Sequence, residues 1–117
     1  MKIPGYTLHG DYYLADKVTP NTTWKEACEM RQIINLPNGK KVIARTLLKE
    51  ELETIPLEER EFNGWYWTST SIGGFAWYVL YSGIFYNFGS INYINNNGGI
   101  RLGFHKNETK QFLLDVE

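Results

Sequence analysis

Apolar residues follow a helical period in the first half of the chain and a strand-like period in the second. Thr23 followed by Glu26 fits a capping box, in which the hydroxyl and the carboxylate each accept a hydrogen bond from a free backbone N–H. The apolar positions that follow recur on one helix face: Trp24, Ala27, Cys28 and Ile34. This pattern predicts an amphipathic helix over residues 23–34 ("TWKEACEMRQII"), ended by the turn-forming run "NLPNG".

Three shorter elements are predicted around this helix. Tyr12–Ala15 ("YYLA") and residues 40–44 ("KKVIA") have the composition of short strands. A second helix is predicted over residues 47–54, because its leucines face one way and its charged residues the other, and Pro56 stops it. The charged run 57–64 ("LEEREFNG") indicates a solvated connection with room for one helical turn.

From Trp65 onward, segments typical of strands are separated by Gly, Ser and Asn: "WYWTST", "FAWYVLY", "IFYNFG" and "GGIRLGF". The second of these is apolar on both alternating faces, which predicts a central strand covered on both sides. Ser82 and Gly83 predict a tight turn that joins the second and third segments in a hairpin. The last segment predicts one dry face and one wet face, since Ile100, Leu102 and Phe104 alternate with Arg101, Gly103 and His105.

Two helices followed by a compact, twisted antiparallel sheet predict the α+β class. The 117 residues indicate one domain, 1–117, large enough to bury a core without disulfides or metals. Cys28 is the only cysteine, so no intrachain disulfide can form.

Charge and hydropathy exclude several partners. The net charge is −1, and acidic and basic residues are interspersed, so the sequence has no basic cluster of the kind that binds nucleic acid. No window approaches the roughly 18 apolar residues of a membrane span, so we expect no membrane insertion. Pro4, Gly5 and Gly10 interrupt the start of the chain, where a signal peptide would be apolar. We therefore expect synthesis in a reducing cytoplasm.

No constellation of residues argues for catalysis, a metal or a cofactor. His9 and His105 are far apart in sequence and are expected on the surface. Cys28 lies on an apolar helix stripe and is expected to act as a small core residue. The carboxylates at 50, 51, 53, 58, 59 and 61 are expected to be solvated. The chain is therefore expected not to be an enzyme.

Aromatic and amide residues are the remaining candidates for recognition. Trp65, Trp67 and Trp77 are expected in the core with their indole N–H groups bonded to loop carbonyls, the alternative being a sugar-stacking platform. The amides of the second half either turn the chain, with residues 95–99 in left-handed conformations, or join nearby tyrosines in a binding surface. The candidate surface comprises Tyr86, Asn87, Asn92, Tyr93, Asn95, Asn96 and Asn97.

Five motifs, in order, resemble those of bacterial and phage C-type-lectin-like domains. "TWKEA" is similar to the W-x-E-A of their first helix, and "ARTLLKEELETI" to their R-L-P-T-x-x-E-L. "YWTST", "AWYV" and "GGIRLGF" are similar to their Y-W-S-S-T, A-W-Y-V and closing I-G-F-R-L or V-R-x-V-R segments. The resemblance covers residues 23–104. It implies a C-type-lectin-like fold whose second half displays side chains for binding, in a superfamily that includes formylglycine-generating enzymes and retroelement-diversified variable proteins.

The departures from the family restrict what the resemblance implies. Many relatives carry a disulfide at the positions of Arg31 and Leu102, and Leu47 replaces the proline of the second motif. The paired cysteines of the formylglycine-generating enzymes are absent, as are the E-P-N and W-N-D motifs of calcium-dependent sugar-binding lectins. Oxidase activity and calcium-dependent sugar binding are therefore not expected.

Three functions remain open. The first is a non-catalytic module that binds a protein or a cell-surface glycan, such as a phage or prophage receptor-binding or accessory protein. The second is a small intracellular phage-encoded protein that binds and inhibits a host protein. The third, which the missing cysteines oppose, is a degenerate enzyme of the formylglycine-generating type. The final location is the host cytoplasm or the virion, and a homo-oligomer is left open.

Overall fold

The computed structural model describes residues 2–62, 64–87 and 98–110, apart from the side chains of Pro20 and Asn21. Within these residues the chain forms two five-stranded sheets and short helices, which confirms the α+β class. No helix in this part of the chain is both long and apolar enough to cross a membrane.

The first sheet brings the two ends of the described chain together. Its strand order is β1 (Tyr6–His9), β2 (Tyr12–Ala15), β10 (Leu102–His105), β5 (Lys41–Thr46) and β4 (Arg31–Asn35), and all of its pairs are antiparallel. Tyr13 of β2 lies opposite Phe104 of β10, and their rings stack with centroids 5.3 Å apart. The predicted strands at Tyr12–Ala15 and 40–44 are confirmed.

The second sheet contains the aromatic segments of the second half. Its order is β3 (Thr19–Thr22), β9 (Gly98–Ile100), β6 (Tyr66–Ile72), β7 (Phe75–Val79) and β8 (Phe85–Asn87). The pair β6–β9 is parallel, with Tyr66 opposite Gly99, so the expectation of one purely antiparallel sheet is wrong. The predicted hairpin of β7 and β8 is confirmed, with Gly83 at a φ of 86° in its turn.

Local sequence signals explain where the helices begin. Helix α1 (Trp24–Glu29) starts with the predicted capping box, because Glu26 N–H donates to Thr23 Oγ1 at 3.2 Å and Thr23 N–H to Glu26 Oε1 at 2.9 Å. Helix α2 (Lys49–Glu53) confirms the second predicted helix. Helix α3 (Leu57–Arg60) is the single turn within the charged run, and a 3₁₀ turn (Lys106–Thr109) follows β10.

The predicted helix over residues 23–34 is wrong beyond Glu29. Residues 31–35 instead form β4, which pairs with β5 from Arg31 opposite Arg45 to Asn35 opposite Lys41. Ile33 and Ile34 are β-branched and favour strands over helices. The turn "LPNG" then lets β4 fold back on β5, so the strand pairing overrides the helical spacing of Ile34.

Two predictions for the strands that follow Trp65 also need correction. The central strand is β6, where Trp67 and Thr68 are fully buried, whereas β7 leaves Trp77 and Tyr78 half-buried. "GGIRLGF" is not one strand with a wet face, because the chain passes from the second sheet to the first at Arg101. Arg101 is only 5% exposed and donates from Nε to the Ala15 carbonyl at 3.0 Å.

Two apolar clusters lie on opposite faces of β6. Tyr66 belongs to a cluster with Leu14 and the buried side of α2, and the adjacent Trp67 belongs to a cluster with Phe104 and Ala27 of α1. Neighbouring residues of a strand point to opposite faces, so β6 divides the core into two halves. Trp65 and Trp67 both lie on the side of the cluster that contains Phe104, where Tyr78 of β7 also packs.

Candidate binding surface on the second sheet

The structure describes two of the seven predicted binding residues. Tyr86 and Asn87 lie on β8, at the edge of the second sheet, and both are exposed. The other five, Asn92, Tyr93, Asn95, Asn96 and Asn97, lie outside the described residues. Gly98 and Gly99 belong to β9, and neither has a positive φ, so the alternative of a left-handed turn is wrong for these two residues.

The register of the β7–β8 hairpin places Tyr86 and Asn87 on opposite faces. Tyr86 lies opposite Tyr78, and Asn87 lies opposite Trp77. Side chains of directly opposed strand residues share a face, and successive residues alternate between faces. A partner that lies flat on one face of the sheet therefore contacts only one of these two residues. A partner that binds along the edge of β8 contacts both.

The Tyr86 face carries an aromatic row, which we define as Trp65, Trp67, Tyr78 and Tyr86. Trp67, Tyr78 and Tyr86 lie opposite one another across three neighbouring strands. Their ring centroids are 6.2 Å apart between Trp67 and Tyr78 and 6.4 Å apart between Tyr78 and Tyr86. Exposure rises along the row, from 0% at Trp67 to 49% at Tyr86. The row thus runs from the core to the sheet edge.

The inner end of the row is fixed by specific contacts. Trp67 Nε1 donates to the Thr22 carbonyl at 3.0 Å, as expected for a buried indole. Trp65 packs edge-on against Trp67 with centroids 4.9 Å apart, and lies the same distance from Tyr78. Gly98 makes this packing possible, because a Cβ there would lie 2.2 Å from Cζ3 of Trp65.

Tyr78 stays a neutral phenol at physiological pH. Burial raises its pKa, and the neighbouring Tyr86 raises it further. A neutral hydroxyl both donates and accepts hydrogen bonds, whereas a phenolate only accepts them. The row therefore presents apolar ring surface with polar but uncharged edges.

The Asn87 face has a different character, because cations lie over its rings. Lys49 Nζ lies 5.0 Å from the centroid of Trp77 and 5.1 Å from that of Phe85, and it also pairs with Glu53. The Arg60 guanidinium lies 4.9 Å from Phe85. Ammonium and guanidinium groups at this range are attracted to the ring faces. Part of each of these rings is therefore covered by the protein's own cations.

Trp77 departs from its predicted role. It is half-buried rather than covered on both sides, and its buried Nε1 has no hydrogen-bond partner among the residues that the structure describes. Its ring is held by Lys49 and by its place opposite Asn87, whereas Trp24 and Trp67 donate to carbonyls of Thr68 and Thr22. The expectation of bonded indole N–H groups is therefore wrong for Trp77 and confirmed for Trp67.

The β7–β8 turn extends the apolar surface beyond the row. Tyr81 is 69% exposed and Ile84 is 47% exposed, one on each side of the turn. Gly83 is required between them, because its φ is positive and a Cβ would lie 2.6 Å from the Leu57 carbonyl oxygen. The turn is thereby held against α3 while Tyr81 and Ile84 face outward.

The titratable residues form structural contacts rather than a reactive set. His9 Nδ1 lies 3.5 Å from Glu59, and burial and Arg101 lower its pKa against the opposing effect of Glu59. Both histidines are half-buried rather than on the open surface. Burial raises the pKa of the Cys28 thiol to about 11, so it is protonated at neutral pH. The described residues hold no group of three His, Cys, Asp or Glu side chains suited to a metal.

Glu51 is not a solvated carboxylate, in contrast to the prediction. Arg45 donates to it twice, at 2.7 and 2.8 Å, and the Leu48 N–H donates at 2.8 Å. Burial alone would raise the pKa of Glu51, but these hydrogen bonds and the charge of Arg45 outweigh burial, so the net pKa is lowered. Glu51 therefore joins α2 to the first sheet.

Comparisons with protein-family models, with curated proteins and with solved structures gave no match. The resemblance to C-type-lectin-like domains consequently depends on the five sequence motifs.

Sequence reasoning named Tyr86 but missed the row behind it. The sequence pattern predicts Tyr78 within a strand that is buried on both faces, and it does not mark Tyr81 or Ile84 as exposed. A two-residue turn at Ser82–Gly83 would place Val79 opposite Tyr86. The observed register pairs Tyr78 with Tyr86 and leaves residues 81–83 between the paired residues Leu80 and Ile84, so the sequence pattern does not give the row.

Proposed function

We propose that this chain is a non-catalytic binding module that recognises a protein or a cell-surface glycan through the outer end of its second sheet. The observation that carries the proposal is the aromatic row, which is buried at Trp67 and reaches half exposure at Tyr86 on an edge strand. A ring supported from behind by other rings loses little conformational entropy when it binds, and tyrosine offers both apolar area and a hydroxyl.

A protein partner is favoured over a glycan by the apolar residues beside the row. Tyr81 and Ile84 extend the surface with an aromatic and an aliphatic side chain rather than with charged or amide groups. Protein interfaces are enriched in buried aromatic anchors of this kind. The glycan alternative remains part of the proposal, because a half-exposed tyrosine ring also stacks on sugars.

The resemblance to C-type-lectin-like domains supports the same surface. In that family the second half of the domain supplies the binding side chains, and here the second half supplies β7, β8 and the turn between them. We propose on this basis a phage or prophage receptor-binding or accessory protein. The alternative, a small phage-encoded inhibitor of a host protein, uses the same surface against an intracellular partner.

The proposal is tested with fluorescent protein added to bacterial cells and to a glycan array, and with pull-downs from host lysate. Tyr86→Ala should weaken binding at least fivefold to whichever target retains the parent protein, and Tyr86→Phe should keep most of the binding. Ile72→Ala is the matched control, because Ile72 is an exposed apolar residue near the β6–β7 turn. Equal binding by Tyr86→Ala and the parent protein would show that the aromatic row is not the contact surface.

A further inference from the structure

The β4–β5 hairpin carries positive charge without matching negative charge. The net charge of the whole chain is −1, but residues 31–46 contain no carboxylate. They contain four cationic side chains: Arg31, Lys40, Lys41 and Arg45. Arg45 is neutralised by Glu51. Arg31 and Lys41 are exposed, and neither forms an ion pair with any residue that the structure describes.

An exposed aliphatic pair lies between these cations. Ile33 of β4 and Ile43 of β5 are directly opposite each other, and they are 65% and 56% exposed. Arg31 and Lys41 occupy positions two residues away on the same strands, so alternation places all four side chains on one face. The other face is used internally, since Ile34 packs on the core and Gln32 accepts a hydrogen bond from Tyr6.

β4 is also an edge strand. Within the described residues its only strand partner is β5, so its outer backbone groups face no further strand. Such an edge is a template for another extended chain, and proteins commonly protect it with charges, prolines or bulges. β4 keeps a regular five-residue register with β5 and places isoleucine at its centre, which leaves the edge open to pairing with a chain of suitable charge.

We propose that the outer edge of β4 binds an extended, acidic segment of a partner protein by strand addition. The partner's backbone pairs with β4, and every second side chain of the partner lies on the face of Ile33. On that face, aliphatic side chains contact Ile33 beside Ile43, and carboxylates pair with Arg31 and Lys41. The excess of cations selects an acidic rather than a basic strand. This site is on the first sheet and is separate from the aromatic row at the β8 edge of the second sheet.

The test uses two fluorescein-labelled octapeptides with threonine at every second position, so that all their other side chains share one face when the peptide is extended. On that face valine alternates with glutamate in one peptide and with lysine in the other. Fluorescence anisotropy should show binding of the glutamate peptide, weaker at 200 mM than at 50 mM salt, and no binding of the lysine peptide. Ile33→Asp should weaken the glutamate peptide at least tenfold. Ile72→Asp, at a similarly exposed isoleucine on β6, should leave it unchanged.

A charge-reversed variant distinguishes specific ion pairing with the peptide from nonspecific binding. Arg31→Glu combined with Lys41→Glu should lose the glutamate peptide and acquire the lysine peptide. Equal binding of both peptides by the parent protein, or unchanged binding by Ile33→Asp, would overturn the proposal. Dimerisation of the parent protein without peptide that Ile33→Asp abolishes would also overturn it, because the occupant of β4 would then be a second copy of the chain. Tyr86→Ala should bind the peptide normally, so the outcome is independent of the function proposed for the aromatic row.

Discussion

Arg45 holds Glu51 through two parallel hydrogen bonds, from Nη1 to Oε1 at 2.7 Å and from Nη2 to Oε2 at 2.8 Å. The same carboxylate accepts from the Leu48 N–H that opens α2 and from the hydroxyl of Tyr12 at 3.3 Å. One side chain thereby fixes the start of α2 against two strands of the first sheet. Bidentate pairs of this kind are among the stronger polar contacts in proteins.

Replacing Glu51 with glutamine should lower the free energy of unfolding by about 1–3 kcal/mol at pH 7, because hydrogen bonds to a charged group are lost. The folded-state pKa of Glu51 is lowered, so its contribution is complete above the unfolded value of about 4.3 and is lost as pH falls through the folded pKa. Urea denaturation should therefore show a smaller loss of stability on acidification in Glu51→Gln than in the parent protein.

Glu53→Gln is the control for this prediction. Its partner Lys49 lies one turn earlier in the same helix, and the carboxylate of Glu53 is more exposed than that of Glu51, so the change should stay within about 0.5 kcal/mol. An equal loss of stability in both variants would contradict a special role for the Arg45–Glu51 pair.

Trp67 should matter more for stability than Trp77. Trp67 is fully buried and donates to Thr22, so Trp67→Ala should cost about 3–5 kcal/mol. Trp77 is half-buried, and its Nε1 has no partner in the described part of the chain, so Trp77→Ala should cost about 1–2 kcal/mol. Chemical denaturation followed by circular dichroism measures both, and a larger loss in Trp77→Ala would contradict the assigned burial.

The contrast between these tryptophans shows where sequence reasoning succeeds. The capping box at Thr23 and the turn at Gly83 were predicted correctly, because each depends on a few neighbouring residues. The central position of β6 depends on β9, a strand near the end of the described chain that pairs with β6. No local pattern encodes that pairing, so the burial of Trp77 was overestimated.

The candidate site was predictable to the same degree. Tyr86 and Asn87 were identified by composition, but their opposite faces follow from the register of the hairpin. A shift of one residue in that register would exchange the faces. β4 was missed for a related reason: Ile34 fits a helical period, and only the pairing with β5 reveals the strand.

Gly98 should be required for the packing of Trp65. A Cβ at Gly98 would lie 2.2 Å from the indole ring, so Gly98→Ala should force the ring to move and cost about 1–3 kcal/mol. In a Trp65→Ala background the same change should cost much less, because the obstructing ring is gone. A double-mutant cycle by urea denaturation measures this coupling, and additive costs would show that the two residues do not interact.

Cys28 should react slowly with thiol reagents in the folded protein. Its pKa is raised to about 11 by burial, so little thiolate exists at pH 7.5, and labelling should accelerate as pH rises. Cys28→Ala should cost on the order of 1 kcal/mol, as for a small buried truncation. Labelling of the folded chain as fast as of the urea-unfolded chain would contradict this placement.

The final prediction separates support from contact along the aromatic row. Tyr78 is half-buried between Trp65 and Tyr86, so Tyr78→Ala should lower both stability and binding. Tyr86 is 49% exposed, so Tyr86→Ala should change stability by about 0.5 kcal/mol or less while binding to the partner falls at least fivefold.

The amides outside the described residues provide the second half of this test. Changing Asn92, Asn95 and Asn96 together to alanine should leave stability nearly unchanged and weaken the same partner, if they share the surface of Tyr86. Isothermal titration calorimetry with the partner and urea denaturation of each variant measure the two effects separately. A triple variant that loses stability and keeps its partner would assign these amides to turning the chain. The contact surface would then end at Tyr86 and the β7–β8 turn, where Tyr81 and Ile84 remain the exposed neighbours.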